Sequence, residues 1–244
     1  MARIDDLLDA ALRLVPAKPS DTASQKDKKR YSELVSQRIA LAVAEELRHR
    51  GLKEARPAGE GDLGDSGAER RMAGGLGAKK VDVTWATQES GLLLAISIKT
   101  INFRDTKTKN FQKNLVNRRG DMLMEAVTLH RRFPYAVLGA LFFLDKDAAN
   151  DGTGKRRSTF ANAHSRLQLF TGRNDPAARE EQFECFYIIL LDATPDNVTL
   201  RPYSVGDAVT ELSINQMIDD LLKLVVQRNP DFYEFVDGSL QRAS

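Results

Sequence analysis

Asp82 and Lys99 are the residues whose setting most suggests chemistry. Asp82 lies in Val81-Asp82-Val83-Thr84-Trp85, which alternates with period two, and Lys99 comes near the end of a run, 92–100, that is apolar at nearly every position. Gln88-Glu89-Ser90-Gly91 between them is turn chemistry, so the two segments read as the strands of a β-hairpin. With 88–91 as a four-residue loop, Thr87 pairs with Leu92 and Asp82 lies opposite Ser97. Side chains alternate along strands, so Asp82, Ser97 and Lys99 cluster on one face. Val81, Val83, Trp85, Leu94, Ile96 and Ile98 fill the other face as core. The second strand is apolar enough to be buried on both faces. An ammonium ending such a strand beside a carboxylate on its neighbour is a candidate reactive pair.

The segment that follows is basic. From Lys99 to Arg132, nine Lys or Arg stand against three acids (Asp105, Asp121 and Glu125), a local net of +6 in a chain that totals +2. The rest of the chain therefore sums to −4, and a basic block beside a mildly acidic remainder is the pattern of a localised polyanion-binding surface. Lys107, Lys109, Lys113, Asn117, Arg118 and Arg119 are the candidates for gripping phosphates, the groups that dominate nucleic-acid affinity. His130, where a helix is ending, reads as a dipole or packing residue.

Other chemistries find no motif. GxSxG, HExxH and a strand-led dinucleotide fingerprint are missing. The stretch Gly74-Gly75-Leu76-Gly77-Ala78-Lys79-Lys80 lacks GxxxxGK[ST] and precedes a strand, which excludes a phosphate loop. His49, His130 and His164 have no metal-ligand spacing. The single Cys185 excludes a disulfide framework or a cysteine metal cluster, and its apolar surroundings make it a small hydrophobe.

The elements that must position these residues follow from periodicity. Residues 3–15 read as a short amphipathic helix stopped by Pro16, and 16–27 as a proline-punctuated linker. A long helix over 28–50 carries Tyr31, Val35, Ile39, Ala42 and Glu46 on one stripe and stops at Gly51. Residues 53–79 read as a long loop, 114–132 as a helix weakened by Gly120, and 135–144 as a buried strand. A basic loop (146–158), a helix (159–171), a buried strand (183–192), turn and short-strand material (195–211) and a closing helix (213–228) complete the chain. This order predicts an α/β fold, a mixed central sheet flanked by helices, with 1–27 as an N-terminal helix and linker and 28–244 as the main domain. The acidic, amphipathic N-terminus is neither signal nor transit peptide, and no apolar run nears the roughly 20 residues of a membrane span, so a cytoplasmic location is expected.

Asp82 in KKVDVTW and Lys99 in AISIKT resemble the signature of the PD-(D/E)xK, restriction-endonuclease-like nuclease superfamily. That signature is an aspartate on one strand, then a (D/E)xK tripeptide ending the next strand of a hairpin. The resemblance covers about residues 28–145 and implies a restriction-endonuclease-like core. In the family the aspartate and the acid bind Mg²⁺, for which Mn²⁺ can substitute, and the carbonyl after the acid, here that of Ile98, can also ligate. The lysine positions or activates the attacking water and stabilises developing phosphoryl charge. This chain departs from the pattern in one place: Ser97 occupies the position of the acid, and a hydroxyl is a poor substitute for a carboxylate on Mg²⁺.

Family members often carry a further glutamate on the helix before the hairpin, and Glu33, Glu45 and Glu46 are the candidates here. Glu33 in YSELVSQRIA matches best, so the implied catalytic set is Asp82, Lys99, Ser97 and Glu33, with Asp82, Ile98 and Glu33 as the metal ligands. Glu46 falls on the apolar stripe, where burial would demand a partner, and reads as an exposed acid in the last turn. The resemblance implies a magnesium-dependent endonuclease that hydrolyses DNA phosphodiester bonds in restriction or anti-phage defence, as a homodimer or with a partner defence subunit. The alternatives are a catalytically decayed nucleic-acid-binding subunit of nuclease-like fold, and a protein-interaction domain whose basic segment meets an acidic partner.

Overall fold

The computed structural model describes residues 2–59, 70–74, 77–194 and 197–243. Two helices lead, α1 (Arg3–Arg13) and α2 (Gln25–His49). Four strands follow, β1 (Arg70–Gly74), β2 (Gly77–Val81), β3 (Val83–Thr87) and β4 (Gly91–Ile101), and then α3 (Leu115–Arg132) and β5 (Val137–Asp145). The remaining elements are α4 (Thr159–Leu167), β6 (Cys185–Thr194), β7 (Asn197–Ser204), α5 (Ile214–Arg228), β8 (Tyr233–Val236) and β9 (Ser239–Arg242). The central sheet has five strands in the order β3-β4-β5-β6-β7, so the chain is an α/β protein with a mixed sheet flanked by helices. Its middle pairs, β4 with β5 and β5 with β6, are parallel, and the outer pairs are antiparallel.

The central strands serve two cores at once, which explains their near-continuous apolar sequence. On one face Leu94, Ile96 and Ile98 of β4 and Leu141 and Phe143 of β5 pack with α1, α2 and α5. On the other face Ala95 and Ile101 of β4 and Ala140 and Phe142 of β5 pack with α3 and α4. Each helix turns an apolar stripe inward: Tyr31, Val35, Ile39, Val43 and Leu47, four residues apart, on α2, and Met122, Ala126 and Leu129 on α3. Serine caps set three helix starts. Ser24, Ser158 and Ser213 each accept a backbone N–H three residues on, from Asp27, Ala161 and Gln216. Gly139 of β5 lets α5 approach, since a Cβ there would lie 2.8 Å from a Leu221 methyl.

The structure departs from the sequence reading in four places. Within the stretch 53–79, read as loop, β1 and β2 form a two-stranded ribbon, while residues 60–69, 75 and 76 lie outside the described residues. The hairpin loop is one residue shorter than expected, because Thr87 pairs with Gly91 and Ala86 with Leu92. A bulge between Trp85 and Ala86 absorbs the difference, so Val83 pairs with Ile96 in the anticipated register. Val81 joins the α3 side of the core, because the chain bends at Asp82 between β2 and β3. Finally, β7 is a full eight-residue strand, and a C-terminal hairpin, β8 with β9, closes the chain.

That C-terminal hairpin locks onto the end of α2. Tyr233 meets Trp85 edge to face at 5.2 Å, and the Leu240 N–H donates to the Arg50 carbonyl at 2.8 Å. Gly51 stops α2 at φ +97°, and a Cβ there would lie 2.1 Å from the Leu240 carbonyl oxygen. Gly51→Ala is therefore expected to destabilise the fold by about 2 kcal/mol or more, combining left-handed strain with a clash against backbone. Urea denaturation checks this, and an unchanged midpoint would show that the hairpin is not docked as described.

Candidate functional site

The site lies at the edge of the sheet, where β3 stops and β4 runs on. The single residue between β2 and β3 is Asp82, and its carboxylate folds over β4 to accept the Ile98 N–H at 2.6 Å. Lys99, next along β4, turns toward α3. Its Nζ lies 3.4 Å from Asp82 Oδ2 and 3.4 Å from Glu125 Oε2. Glu125 comes from the inward stripe of α3, one turn after Met122, with only 7% of its side chain exposed. Ser97 Oγ is buried on the same side with no hydrogen-bond partner among the described residues. It still lies near enough to favour the ionised form of Glu125.

The electrostatics follow from that crowding. Burial raises the pKa of Glu125, the Asp82 charge raises it further, and Lys99 counters only in part. Burial works against the Lys99 charge, but Glu125 and then Asp82 outweigh it and raise its pKa, so the ammonium stays charged. Among the described residues, Asp82 and Glu125 are thus both paired with Lys99 in a sheltered place.

The folded pKa of Glu125 lies above its ordinary 4.5. Its contribution is intact below pH 4.5 and declines as pH rises through the folded value, where a buried carboxylate must ionise. In metal-free buffer, Glu125→Gln should therefore melt higher than wild type at pH 8, on the scale of about 2–4 °C, with the gap narrowing toward pH 5. A melting temperature lowered at both pH values would contradict the assignment of Glu125 as a strained, buried acid.

Asp82, Lys99 and Glu125 line a cleft of about 1250 Å³ floored by the end of β4 and walled by α2 and α3. From α2 come Lys28, Lys29, Ser32 and Gln37, and from the far wall Arg104, Lys113 and Arg118. Phe103 lies in the cleft beneath two lysines, with Lys18 Nζ 5.4 Å and Lys28 Nζ 5.9 Å from its ring centre. The loop 105–110 between β4 and α3 is preorganised. The Asp105 carboxylate accepts the Lys107 and Thr108 N–H groups and the Lys113 ammonium, which together hold its pKa well below the usual range.

The structure brings Asp82, Ser97 and Lys99 together as their spacing suggested, and the Ile98 backbone, implied by the resemblance alone, meets them through its N–H to Asp82. It does not bring Glu33 to them. Glu33 sits on the cleft's rim, 66% exposed, with its carboxylate 3.7 Å from Lys29, because its position on α2 faces solvent. Glu45 is also exposed and pairs with Arg3. Glu46, read as exposed, is buried between Arg50 at 2.6 Å and Arg3 at 2.7 Å, the partners that burial on the stripe required. Of the phosphate candidates, Lys113 and Arg118 line the cleft, Lys113 tied to Asp105 and Arg118 to Asp121. Lys107 and Lys109 stand exposed on the loop, Asn117 is exposed on α3, and the Arg119 guanidinium lies over the Phe170 ring at 5.9 Å. His130 is a buried packing residue: its Nδ1 lies 2.8 Å from the Glu180 carbonyl and its Nε2 3.4 Å from Glu184.

The residue that sequence reasoning passed over is Glu125. It stood in the count of the basic block as a stray acid, yet its place between Met122 and Leu129 put it on the apolar stripe of the helix following the hairpin. A carboxylate on an inward stripe is costly without a partner, and Lys99 is that partner.

Fold and site together define an α/β protein with an oxygen-rich, lysine-bearing cleft at its sheet edge. No family model, curated protein or solved structure matches the chain. No helix among the described residues is long and apolar enough to cross a membrane.

Proposed function

We propose that the chain is a divalent-metal-dependent nuclease that hydrolyses DNA phosphodiester bonds at the Asp82–Lys99–Glu125 cluster. The observation that carries this reading is the position of Glu125. A carboxylate from α3 reaches the same lysine as Asp82 and lies beside Ser97, the residue standing where the nuclease signature has its acid. The acid missing from the strand is thereby supplied in space from the next helix. This weighs against the decayed reading, in which nothing would fill the gap.

The donor set suits a hard cation. Asp82 and Glu125 offer carboxylate oxygens, with no histidine or cysteine beside them, which favours Mg²⁺ or Mn²⁺ over zinc. No group of three His, Cys, Asp or Glu able to hold a metal occurs among the described residues, so substrate oxygens and water must complete the shell, as Mg²⁺ generally requires. Burial first, and the Asp82 charge after it, raise the pKa of Glu125, and a cation bound beside it would favour its ionised form. When bound there, such an ion polarises the phosphoryl group and makes water a better nucleophile at neutral pH.

The chain's own groups do the rest. Lys99, held charged by both acids, offers its ammonium to a non-bridging phosphate oxygen as negative charge builds there. Asp82 is fixed by the Ile98 N–H, so one oxygen is oriented and the other is free to ligate or to accept from water. The lysines of α2 and Lys113 and Arg118 opposite attract the backbone into the cleft. A restriction or anti-phage role, and a dimer or partner subunit, belong to the same reading as its biological setting.

The test is cleavage of plasmid DNA with Mg²⁺ or Mn²⁺. Wild type is expected to nick or linearise the plasmid, and Asp82→Ala and Lys99→Ala to leave it intact. Intact plasmid with pure wild type, together with salt-sensitive DNA binding, would favour the decayed reading. The absence of both would favour a protein-interaction domain.

A further inference from the structure

Between β5 and α4 the chain carries three consecutive basic residues, Lys155, Arg156 and Arg157, and the structure uses them differently. Arg156 is a strut: its guanidinium donates to the Asp151 carbonyl, and its backbone closes a turn with Thr153 through hydrogen bonds of 2.8 and 3.0 Å. Lys155 and Arg157, on either side of it, are exposed, and neither has an acidic partner among the described residues. The acids nearby in sequence are already engaged. Asp145 pairs with Lys18 and Asp147 with Arg104. Asp151 accepts from the Thr159 N–H at 2.6 Å and hydroxyl at 2.5 Å, and from the Phe111 N–H at 3.0 Å.

Those same bonds hang the turn on the cleft. Phe111 and Lys113 line the cleft, and between them Gln112 donates its side-chain amide to the Arg157 carbonyl at 3.4 Å. The Arg157 carbonyl also accepts from Asn162 at 3.3 Å, one turn into α4. The backbone that carries the two cations is therefore tied, at the Arg157 carbonyl, to the 111–113 segment of the cleft wall, while their side chains are exposed.

We propose that Lys155 and Arg157 form a second phosphate-gripping edge that holds the sugar–phosphate backbone of double-stranded DNA beyond the cleft. This rests on the nuclease reading above and extends its substrate contact outside the catalytic cluster. A phosphodiester backbone is the polyanion that would reach from the cleft to this edge. Duplex is favoured over single strand for two reasons. Its phosphates are set at fixed positions by a stiff helix, which suits cations on a pinned turn. Sequence-tolerant single-strand sites rely on aromatic stacking, and residues 146–158 contain no aromatic ring.

The experiment is fluorescence anisotropy of labelled DNA across a salt series, in metal-free buffer, with wild type and the double variant Lys155→Ala/Arg157→Ala. Duplex and single-stranded probes of the same sequence are compared, and Mn²⁺ binding is measured separately by calorimetry. Each phosphate contact contributes about 0.9 to the slope of log affinity against log salt for B-DNA. The duplex slope is therefore expected to become shallower by about 1.8 in the double variant, with Mn²⁺ affinity and melting temperature unchanged. An unchanged duplex slope, or a loss confined to the single strand, overturns the proposal. If wild type binds Mn²⁺ and the slope does not move, only the second edge falls. If the slope moves while wild type neither binds Mn²⁺ nor cuts DNA, the edge stands and the nuclease reading falls.

Discussion

Glu125→Ala is expected to abolish DNA cleavage, by about a thousandfold or more, although this acid lies outside the Asp82–Lys99 hairpin. Among the described residues, only Asp82 and Glu125 ion-pair with Lys99, and removing Glu125 leaves Asp82 alone to hold a divalent ion. The several kcal/mol that a Lewis-acid ion contributes to a phosphoryl transition state are then lost, and about 1.4 kcal/mol is tenfold in rate. Glu125→Gln keeps the volume and should lose activity as completely, since a neutral amide is a poor ligand for a hard cation. Single-turnover cleavage at saturating enzyme separates this from weakened DNA binding. Activity within tenfold of wild type in both variants would remove Glu125 from the site and leave Ser97 as an unfilled gap.

Glu184→Ala is expected to cost about 3–5 kcal/mol of folding stability. Glu184 lies fully buried at the start of the central strands. Its Oε1 is 2.9 Å from Arg173 and 2.7 Å from Arg228, and its Oε2 accepts the Leu138 N–H at 2.6 Å. Both arginines are nearly buried, at 1% and 5% exposed, so removing the carboxylate strands two positive charges away from water. Burial alone would raise the pKa of Glu184, but His130, Arg228 and the Leu138 N–H outweigh it and hold it below the ordinary 4.5. The stability it contributes is present above pH 4.5 and lost as pH falls through the lower folded value. Urea titrations of wild type and variant at neutral pH measure the cost directly. A difference under 1 kcal/mol would mean that the arginines find water when the acid is gone. Since whole domains are stable by only about 5–15 kcal/mol, the expected loss is a large share.

These two residues also mark the boundary of what could be read from sequence. The hairpin was legible because period-two alternation and the apolar run of β4 act locally, and the register near Asp82 survived an error in loop length. It survived because the bulge at Trp85 lies between the loop and the site. The helices were legible for the same local reason. Glu125 needed a tertiary fact, namely that α3 returns across the Lys99 face of β4 and not the opposite one. The Glu184 node joins α3, β5, the loop after α4 and α5, elements far apart in sequence, and no short pattern announces it. The β1–β2 ribbon escaped because Arg70-Arg71-Met72-Ala73-Gly74 and Gly77-Ala78-Lys79-Lys80 carry no alternation, so only backbone pairing reveals it. Glu33 matches the family's helix glutamate by position alone, and the rotation of α2 sends it to solvent.

A calorimetric titration of Mn²⁺ into the purified protein at neutral pH tests whether Asp82 and Glu125 hold a divalent ion. Saturable binding is expected in wild type and in Glu33→Ala, and none in Asp82→Ala or Glu125→Ala. Wild-type affinity retained in Glu125→Ala but lost in Glu33→Ala would contradict this, by placing the metal on the rim of the cleft and not at the cluster around Lys99.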